Sequence, residues 1–449
     1  MSETIVALAT PTGDSALATI RISGSLSECF TKDALSLPYP TPRHSYLANY
    51  KSNDAEVIDQ VICCYYEQNK SFTNEKMLEI SCHGNPLIVQ NILSDLICRG
   101  ARLADPGEFT KRAYLNEKID LVQAEAIAEM ISAKSLHAIK LARKNLDGNL
   151  SSIISRVQTG ILKVRAKLEA FVDFPEDDIG TENYVVIVSL LTDIQLVTAS
   201  LIDSSNRRSI LDKNSRVILV GAPNAGKSTL FNCFVGFDRS IVSDIPGTTR
   251  DYVSKSLILD DIGIELIDTA GLRETSDRLE SLGVDNTVEL IEQADMVIAV
   301  LDSSLPYPPE LNELLSQFIT PGNFVIVENK SDLKKHNNSE KYPINAGIIS
   351  ISAKNKVGIS DLIKKIKEVI GFGNENTELE FSVNLRHKQS LKEVNAHLLN
   401  AISLLKNHQD DLIILSELKQ SIQSLGNIVK PTDNEEMLDH LFKNFCIGK

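Results

Sequence analysis

The feature that most constrains this chain is an apolar run, RVILV, that leads directly into GAPNAGKST, Gly221 to Thr229. A buried strand, a glycine-containing loop and a helix in that order turn backbone N–H groups toward one small volume, where phosphate oxygens bind. Asn224, Ala225, Gly226 and Thr229 form the wrap. Lys227 reaches the β/γ oxygens as a catalytic cation, and Ser228 offers its hydroxyl to Mg²⁺. Three further runs follow: DTAG, NKSD and SAK. Asp268 suits the Mg²⁺ shell and the Gly271 N–H suits the γ-phosphate, with Thr269 and Ala270 between them. In NKSD, Asn329 and Lys330 precede Asp332, whose two acceptors match the N1–H and exocyclic amine of guanine, a donor pair that adenine lacks. Ser352, Ala353 and Lys354 suit contact with the guanine carbonyl. All stand at carboxyl ends of strand-like runs, where open α/β sheets bind ligands. The set predicts a GTPase.

Around these motifs the texture changes three times. Residues 1–117 carry short β-rich runs with one helix-like segment and read as an α+β domain. Over 118–213, Ile154, Val157, Ile161, Val164, Leu168 and Phe171 recur at helical spacing, as do Ile187, Leu190, Ile194, Val197 and Leu201. Residues 214–372 alternate strand and helix, as a doubly wound sheet does. Helical spacing resumes over 373–449. The economical reading is a multidomain chain whose discontinuous all-α helical domain holds an inserted α/β Ras-like domain; two separate bundles are the alternative.

Composition narrows the function classes. With 449 residues, 43% hydrophobic and 24% charged, the chain has the make-up of an ordinary globular protein. Its net charge of −14 argues against a broadly basic nucleic-acid surface. The seven cysteines show no zinc spacing and suit a reducing cytoplasm; adjacent Cys63 and Cys64 read as core thiols. The N-terminus does not read as a signal peptide, and no apolar run is expected to approach the roughly 20 residues that span a bilayer. The final FCIGK places Cys446 fourth from the end, but Gly448 and Lys449 fit a prenylation box badly. A frayed tail and a part of an active site both stay open, as do packed and reactive roles for Cys446.

No arginine finger is evident, so another group must offset charge in hydrolysis. Asn224 can ligate a monovalent cation between the phosphates, or can simply serve a turn. The loop SDIPGTTRD, Ser243 to Asp251, can add carbonyls to that ion and Thr249 to Mg²⁺.

Together with RISG, SFTNEKMLEISCHG, ADPGEFTKRAYLNEKIDLVQAEAIAE, DFPEDDI and the terminal FCIGK, these motifs make the chain resemble the MnmE (TrmE) family of tRNA-modification GTPases over nearly its whole length. The resemblance implies an N-terminal domain that folds like a tetrahydrofolate-binding module and builds a homodimer. It implies potassium-stimulated hydrolysis and a FAD-carrying partner, MnmG, joined in a heterotetramer. Together they add an aminomethyl or carboxymethylaminomethyl group to C5 of the wobble uridine of certain tRNAs, with carbon from a methylenetetrahydrofolate. By motif, Arg21, Glu79, Lys118 and Lys449 are similar to the family's folate contacts. Asn224, Ser243, Ile245 and Thr248 match its potassium ligands, and the same loop brings Asp244, Pro246 and Gly247 to the nucleotide. Glu280 matches a carboxylate that positions attacking water. The chain departs from the pattern at Ser15 to Ala18, at Asn74 and Lys76, and at GNIVKPTDNEEML. A ribosome-assembly GTPase binding rRNA is the rival reading, but the helical C-terminal segment is not notably basic.

Overall fold

Period-two apolar patterning in the first hundred residues builds a six-stranded sheet. The structure is a computed structural model, and it describes residues 3–133, 135–173, 182–212, 215–236, 240–242, 253–259, 262–268, 290–291, 294–307, 323–336, 347–370, 382–431, 435–443, 445 and 448. The strands are β1 (Ile5–Leu8), β2 (Ser15–Ser23), β3 (Ser45–Lys51), β4 (Val57–Tyr66), β5 (Met77–Gly84) and β6 (Arg102–Leu103). They lie in the order β3-β4-β5-β2-β1-β6, antiparallel except where β1 meets β6. Ile20, Ile22, Val61, Cys63, Leu78 and Ile80 turn to one side and bury against α1 (Ser27–Asp33) and α2 (Pro86–Cys98). Asn85 starts α2 by accepting from the Leu87 N–H, with Pro86 in the first turn.

The same alternation corrects the reading of the paired cysteines. Cys63 is in the core, where burial pushes its thiol up to about 11. Cys64 is only half-buried and faces Glu79 across the β4–β5 pairing. Neighbouring strand residues point to opposite faces, and α1 and α2 cover only the face that carries Cys63.

The chain divides into two compact units, Met1–Ala128 with Asn145–Gln195 and Glu393–Lys449, and Glu129–Lys144 with Leu196–Lys392. The sheet belongs to the first, as do α3 (Glu108–Leu115), α6 (Asn149–Asp173) and the helices Asp411–Val429 and Glu435–Lys443; α4 (Leu121–Ser132) and α5 (Leu136–Leu146) come between α3 and α6 in the chain. Ile154, Val157, Ile161, Val164 and Leu168 of α6 are buried as a stripe, and α6 packs along Asp411–Val429. Phe171's side chain, like FPEDDI over 174–179, lies outside the described residues.

Helix α7 (Glu182–Asp212) differs from expectation. Ile187 and Leu201 are buried as expected, with Leu191, Thr198, Ser204 and Ser205 beside them, whereas Leu190 and Val197 are exposed. The stripe shifts by one position at Leu191 and Thr198; twelve of the 18 residues from Tyr184 to Leu201 are apolar, Leu190 and Leu191 adjacent among them, so periodicity alone cannot choose the face. That apolar excess also overturns the expectation about apolar length. Tyr184–Ser205 spans 22 residues at mean hydropathy 2.1, long and apolar enough by composition to cross a membrane. Within the first unit its polar groups find partners: Tyr184 donates to Asp411 at 2.9 Å and Gln195 to Asn395 at 3.0 Å.

In the second unit β7 (Ser215–Val220), β8 (Ser240–Val242), β9 (Val253–Leu259), β10 (Ile262–Asp268), β11 (Met296–Asp302), β12 (Phe324–Asn329) and β13 (Gly347–Ser350) form one sheet. Its order is β13-β12-β11-β7-β10-β9-β8, parallel from β13 to β10. Strand β7 is buried on both faces. Val217 and Leu219 pack with Leu230 of α8 (Lys227–Val235) and Leu362 of Ile359–Val369, while Ile218 and Val220 pack with Ile267 and Ala299. Such two-sided burial is what a parallel sheet covered by helices requires. It leaves the loops at the strand ends to carry chemistry.

Candidate functional site

Two clusters of side chains stand out, one in each unit. In the second unit the chain leaves β7 through Gly221, whose φ is +150 and where a Cβ would run into the Val300 carbonyl. Asn224 follows at φ 62, a left-handed conformation that asparagine tolerates well, so it serves the turn; its side chain is exposed. At Gly226, φ is +94 and a Cβ would collide with the Asn329 amide. Glycine is therefore needed twice to bring the loop over the start of α8.

Lys227 is buried, and its ammonium donates to the carbonyls of Gly221 at 2.7 Å and Ala222 at 3.1 Å. It thus lies across the loop, the position from which a lysine meets phosphate oxygens. The Ser228 hydroxyl donates to Asp268 Oδ2 at 2.8 Å. The two groups expected around Mg²⁺ come from α8 and the end of β10 and meet there. A hydroxyl and a carboxylate are the hard oxygen donors that this ion takes. Asn224 is exposed on the loop, Thr229 is exposed in the first turn of α8, and Ala225 is buried.

The base-side motifs meet as well. Ser352, buried, donates to Asp332 Oδ1 at 2.6 Å, which holds the Asp332 carboxyl below the usual carboxylate range. Asn329 does something that sequence patterning does not show. Its amide donates to the Ala225 carbonyl at 2.9 Å, and its oxygen accepts from the Ala353 N–H at 3.0 Å. One buried side chain therefore braces the phosphate loop against the base loop. Lys330 donates to Asp302 at 2.6 Å. Burial pushes the Asp302 carboxyl up, but the bonds from Lys330 and Ser304 outweigh it and hold it low. Lys354 is exposed beside this cluster. Ser243, Asp244, Ile245, Pro246, Gly247, Thr248, Thr249, Thr269, Ala270, Gly271 and Glu280 lie outside the described residues.

The second cluster occupies the sheet face of the first unit that α1 and α2 do not cover. Arg21 of β2 and Glu79 of β5 are register partners, and Arg21 Nε donates to Glu79 Oε1 at 2.9 Å. Tyr66 donates to Glu79 Oε2 at 3.1 Å, and the Phe72 and Phe109 rings each lie 5.9 Å from the Arg21 guanidinium centre. Lys118 is exposed after the end of α3, its N–H donating to the Ala113 carbonyl at 2.8 Å. Lys449 and Cys446 lie outside the described residues, but their neighbours do not. Arg21 Nη1 donates to the Gly448 carbonyl at 3.2 Å. Phe445 packs at 5.1 Å on Phe442, and a Cβ on Gly107 would come within 2.9 Å of Phe445. Gly448 is therefore seated on the N-terminal sheet and Phe445 on PGEFT.

The other signature runs hold this frame together. Glu75 of SFTNEK pairs with Arg112 at 2.9 Å, and Asn116 donates to the Thr73 carbonyl at 2.7 Å. Burial raises the Glu108 carboxyl, but bonds from Arg102, Asp105 and Arg112 bring it down to about 2. Asn74 takes φ 61, and Lys76 pairs with Glu28. Ser15 lies where a Cβ on Gly84 would otherwise stand, and the β2–β5 register shifts between Ser15 and Ala18.

Residues 4–118 match a family model described as the GTP-binding protein TrmE N-terminus, and residues 121–446 match one described as the MnmE helical domain. Proteins named tRNA modification GTPase MnmE from Opitutus terrae and Thermotoga petrophila are each 36% identical to this chain. Both alignments cover 100% of it, and 99% and 100% of the relatives. A crystal structure of Era from Aquifex aeolicus bound to GDP and aluminium fluoride matches at 29% identity and a TM-score of 0.28, covering 41% of this chain and 66% of that one.

Proposed function

Because the chain belongs to the MnmE family of tRNA modification GTPases, we propose that it hydrolyses GTP in the service of wobble-uridine modification. The observation that carries the GTPase half is the Ser228–Asp268 contact beside Lys227, joined through Asn329 to the Asp332–Ser352 pair. Phosphate-side and base-side groups are thus held at a fixed separation, as a nucleotide requires.

In this reading Ser228, Asp268 and Thr249 hold Mg²⁺, which would neutralise charge on the β and γ oxygens. Asn224, with Ser243, Ile245 and Thr248, holds K⁺. Lys227 exchanges its loop carbonyls for phosphate oxygens, Gly271 gives its N–H to the γ-phosphate, and Glu280 orients water. Domains of residues 1–117, 118–213, 214–372 and 373–449 divide the work. The first binds a one-carbon tetrahydrofolate through Arg21, Glu79 and Lys118, with Lys449 from the tail, and builds a cytoplasmic homodimer. A FAD-containing MnmG-type partner completes a heterotetramer that adds an aminomethyl or carboxymethylaminomethyl group to uridine C5 in tRNA. Mass spectrometry of wobble uridines in a deletion strain tests this. Unchanged modification there would favour the ribosome-assembly alternative.

Two expected results concern hydrolysis. Asn224→Ala, or Na⁺ in place of K⁺, slows turnover about 10²-fold, the scale for removing one group that stabilises developing charge. GTP affinity should hold, and equal rates in both salts would remove the cation from the reading. Glu280→Ala lowers the rate about 10²-fold with affinity little changed, because a water-positioning group acts mainly in the transition state. Parallel loss of affinity would make Glu280 structural.

A further inference from the structure

Arg21 is already engaged inside the protein. Its Nε is given to Glu79 and its Nη1 to the Gly448 carbonyl, and Tyr66 holds the other Glu79 oxygen. Residues of β4, β5, β2 and the chain's last segment therefore form one line of hydrogen bonds, Tyr66 to Glu79 to Arg21 to Gly448. Gly448 supplies an independent observation. It sits at φ +85, and a Cβ there would run into the Leu8 carbonyl and lie 2.8 Å from the Ala9 Cα. A seat that accepts only glycine and adds a bond from a guanidinium is specific, unlike a frayed end.

We propose that Tyr66, Glu79 and Arg21 form a latch that docks Gly448 against β1. Tyr66 is then a positioning residue for the one-carbon site, and Arg21 adds that task to its own folate contact; that last step rests on the folate reading above. Arg21's main task is to join Glu79 to the tail, with two of its donors used internally. Tyr66 fixes the carboxylate from the other side, so the Glu79 plane and the tail are set together. By linkage, a ligand that binds the docked form better shifts the docking equilibrium toward that form by the same factor as docking raises its affinity.

Hydrogen exchange read by mass spectrometry on the full chain, without folate, tests the latch. Arg21→Gln should speed exchange in the 442–449 peptide about tenfold or more, the scale of losing one bond to a charged group. Gly448→Ala should do the same by strain, and the double variant should be no faster than the worse single, since both undo one dock. Tyr66→Phe gives a smaller rise, and Arg21→Lys, with no fork to hold both acceptors, does not restore protection. Peptides of β4 and β5 serve as the control for an intact sheet. Unchanged protection of 442–449 in both Arg21→Gln and Gly448→Ala overturns the latch. Adding 5-formyl-tetrahydrofolate should then slow tail exchange in the unmodified chain and less so in Gly448→Ala. A latch present in a chain that binds no folate by calorimetry would remove the ligand reading and leave the latch standing.

Discussion

Asp332→Asn should weaken GTP binding about a hundredfold or more, the scale of disrupting two bonds to a charged acceptor, and should shift preference toward xanthosine triphosphate. The carboxylate presents two acceptors, and Asn replaces one with a donor, which a xanthine carbonyl accepts and a guanine amine repels. Ser352 sharpens the expectation. Its hydroxyl, itself buried, donates to Asp332 Oδ1 at 2.6 Å and fixes the plane of the carboxylate. That bond, together with the nearby lysines, keeps the carboxyl below its usual range, so base selection should not change across neutral pH. Competition between GTP and xanthosine triphosphate for both forms is the measurement. An unaltered base preference would remove Asp332 as the guanine reader, and lost binding of both nucleotides would point instead to a collapsed loop.

The phosphate and base motifs were legible because each is local: a few adjacent residues at a strand end carry the chemistry, and strands such as RVILV announce themselves by continuous apolarity. Legibility fails where a decision depends on partners far away in the chain. Cys64 could not be separated from Cys63 without knowing which face of β4 the helices cover. In α7 two thirds of the positions from Tyr184 to Leu201 are apolar, and Thr198 and Leu191 are buried where Val197 and Leu190 were expected. Asn329 reads as part of a base motif, but its bonds to Ala225 and Ala353 make it a brace between two loops. The Arg21–Gly448 bond joins residues on a strand and at the chain end, and no periodicity or spacing relates them. Resemblance pointed to Arg21 as a ligand contact; only geometry shows how its donors are divided.

Removing Cys446 to Lys449 should abolish wobble-uridine modification while leaving potassium-dependent GTP hydrolysis intact. The nucleotide groups named above fall within residues 221–354, all in the second unit, and the deleted residues belong to the first. What the deletion takes away is Gly448 from its place over Leu8 and Ala9, the carbonyl that Arg21 holds, and the ammonium of Lys449. Phe445 remains, packed on Phe442 and Gly107, so the helix Glu435–Lys443 keeps its apolar contacts and the fold should survive. Arg21 loses its tail acceptor, and an acidic ligand loses a cation that would otherwise close over it. Affinity for a formyl-folate analogue should fall about tenfold to a hundredfold, as for one or two charge-assisted bonds. Calorimetry on the shortened chain separates the outcomes. Reduced affinity with normal GTP turnover places the tail in the one-carbon site, whereas undiminished affinity would return FCIGK to an end that packs without acting.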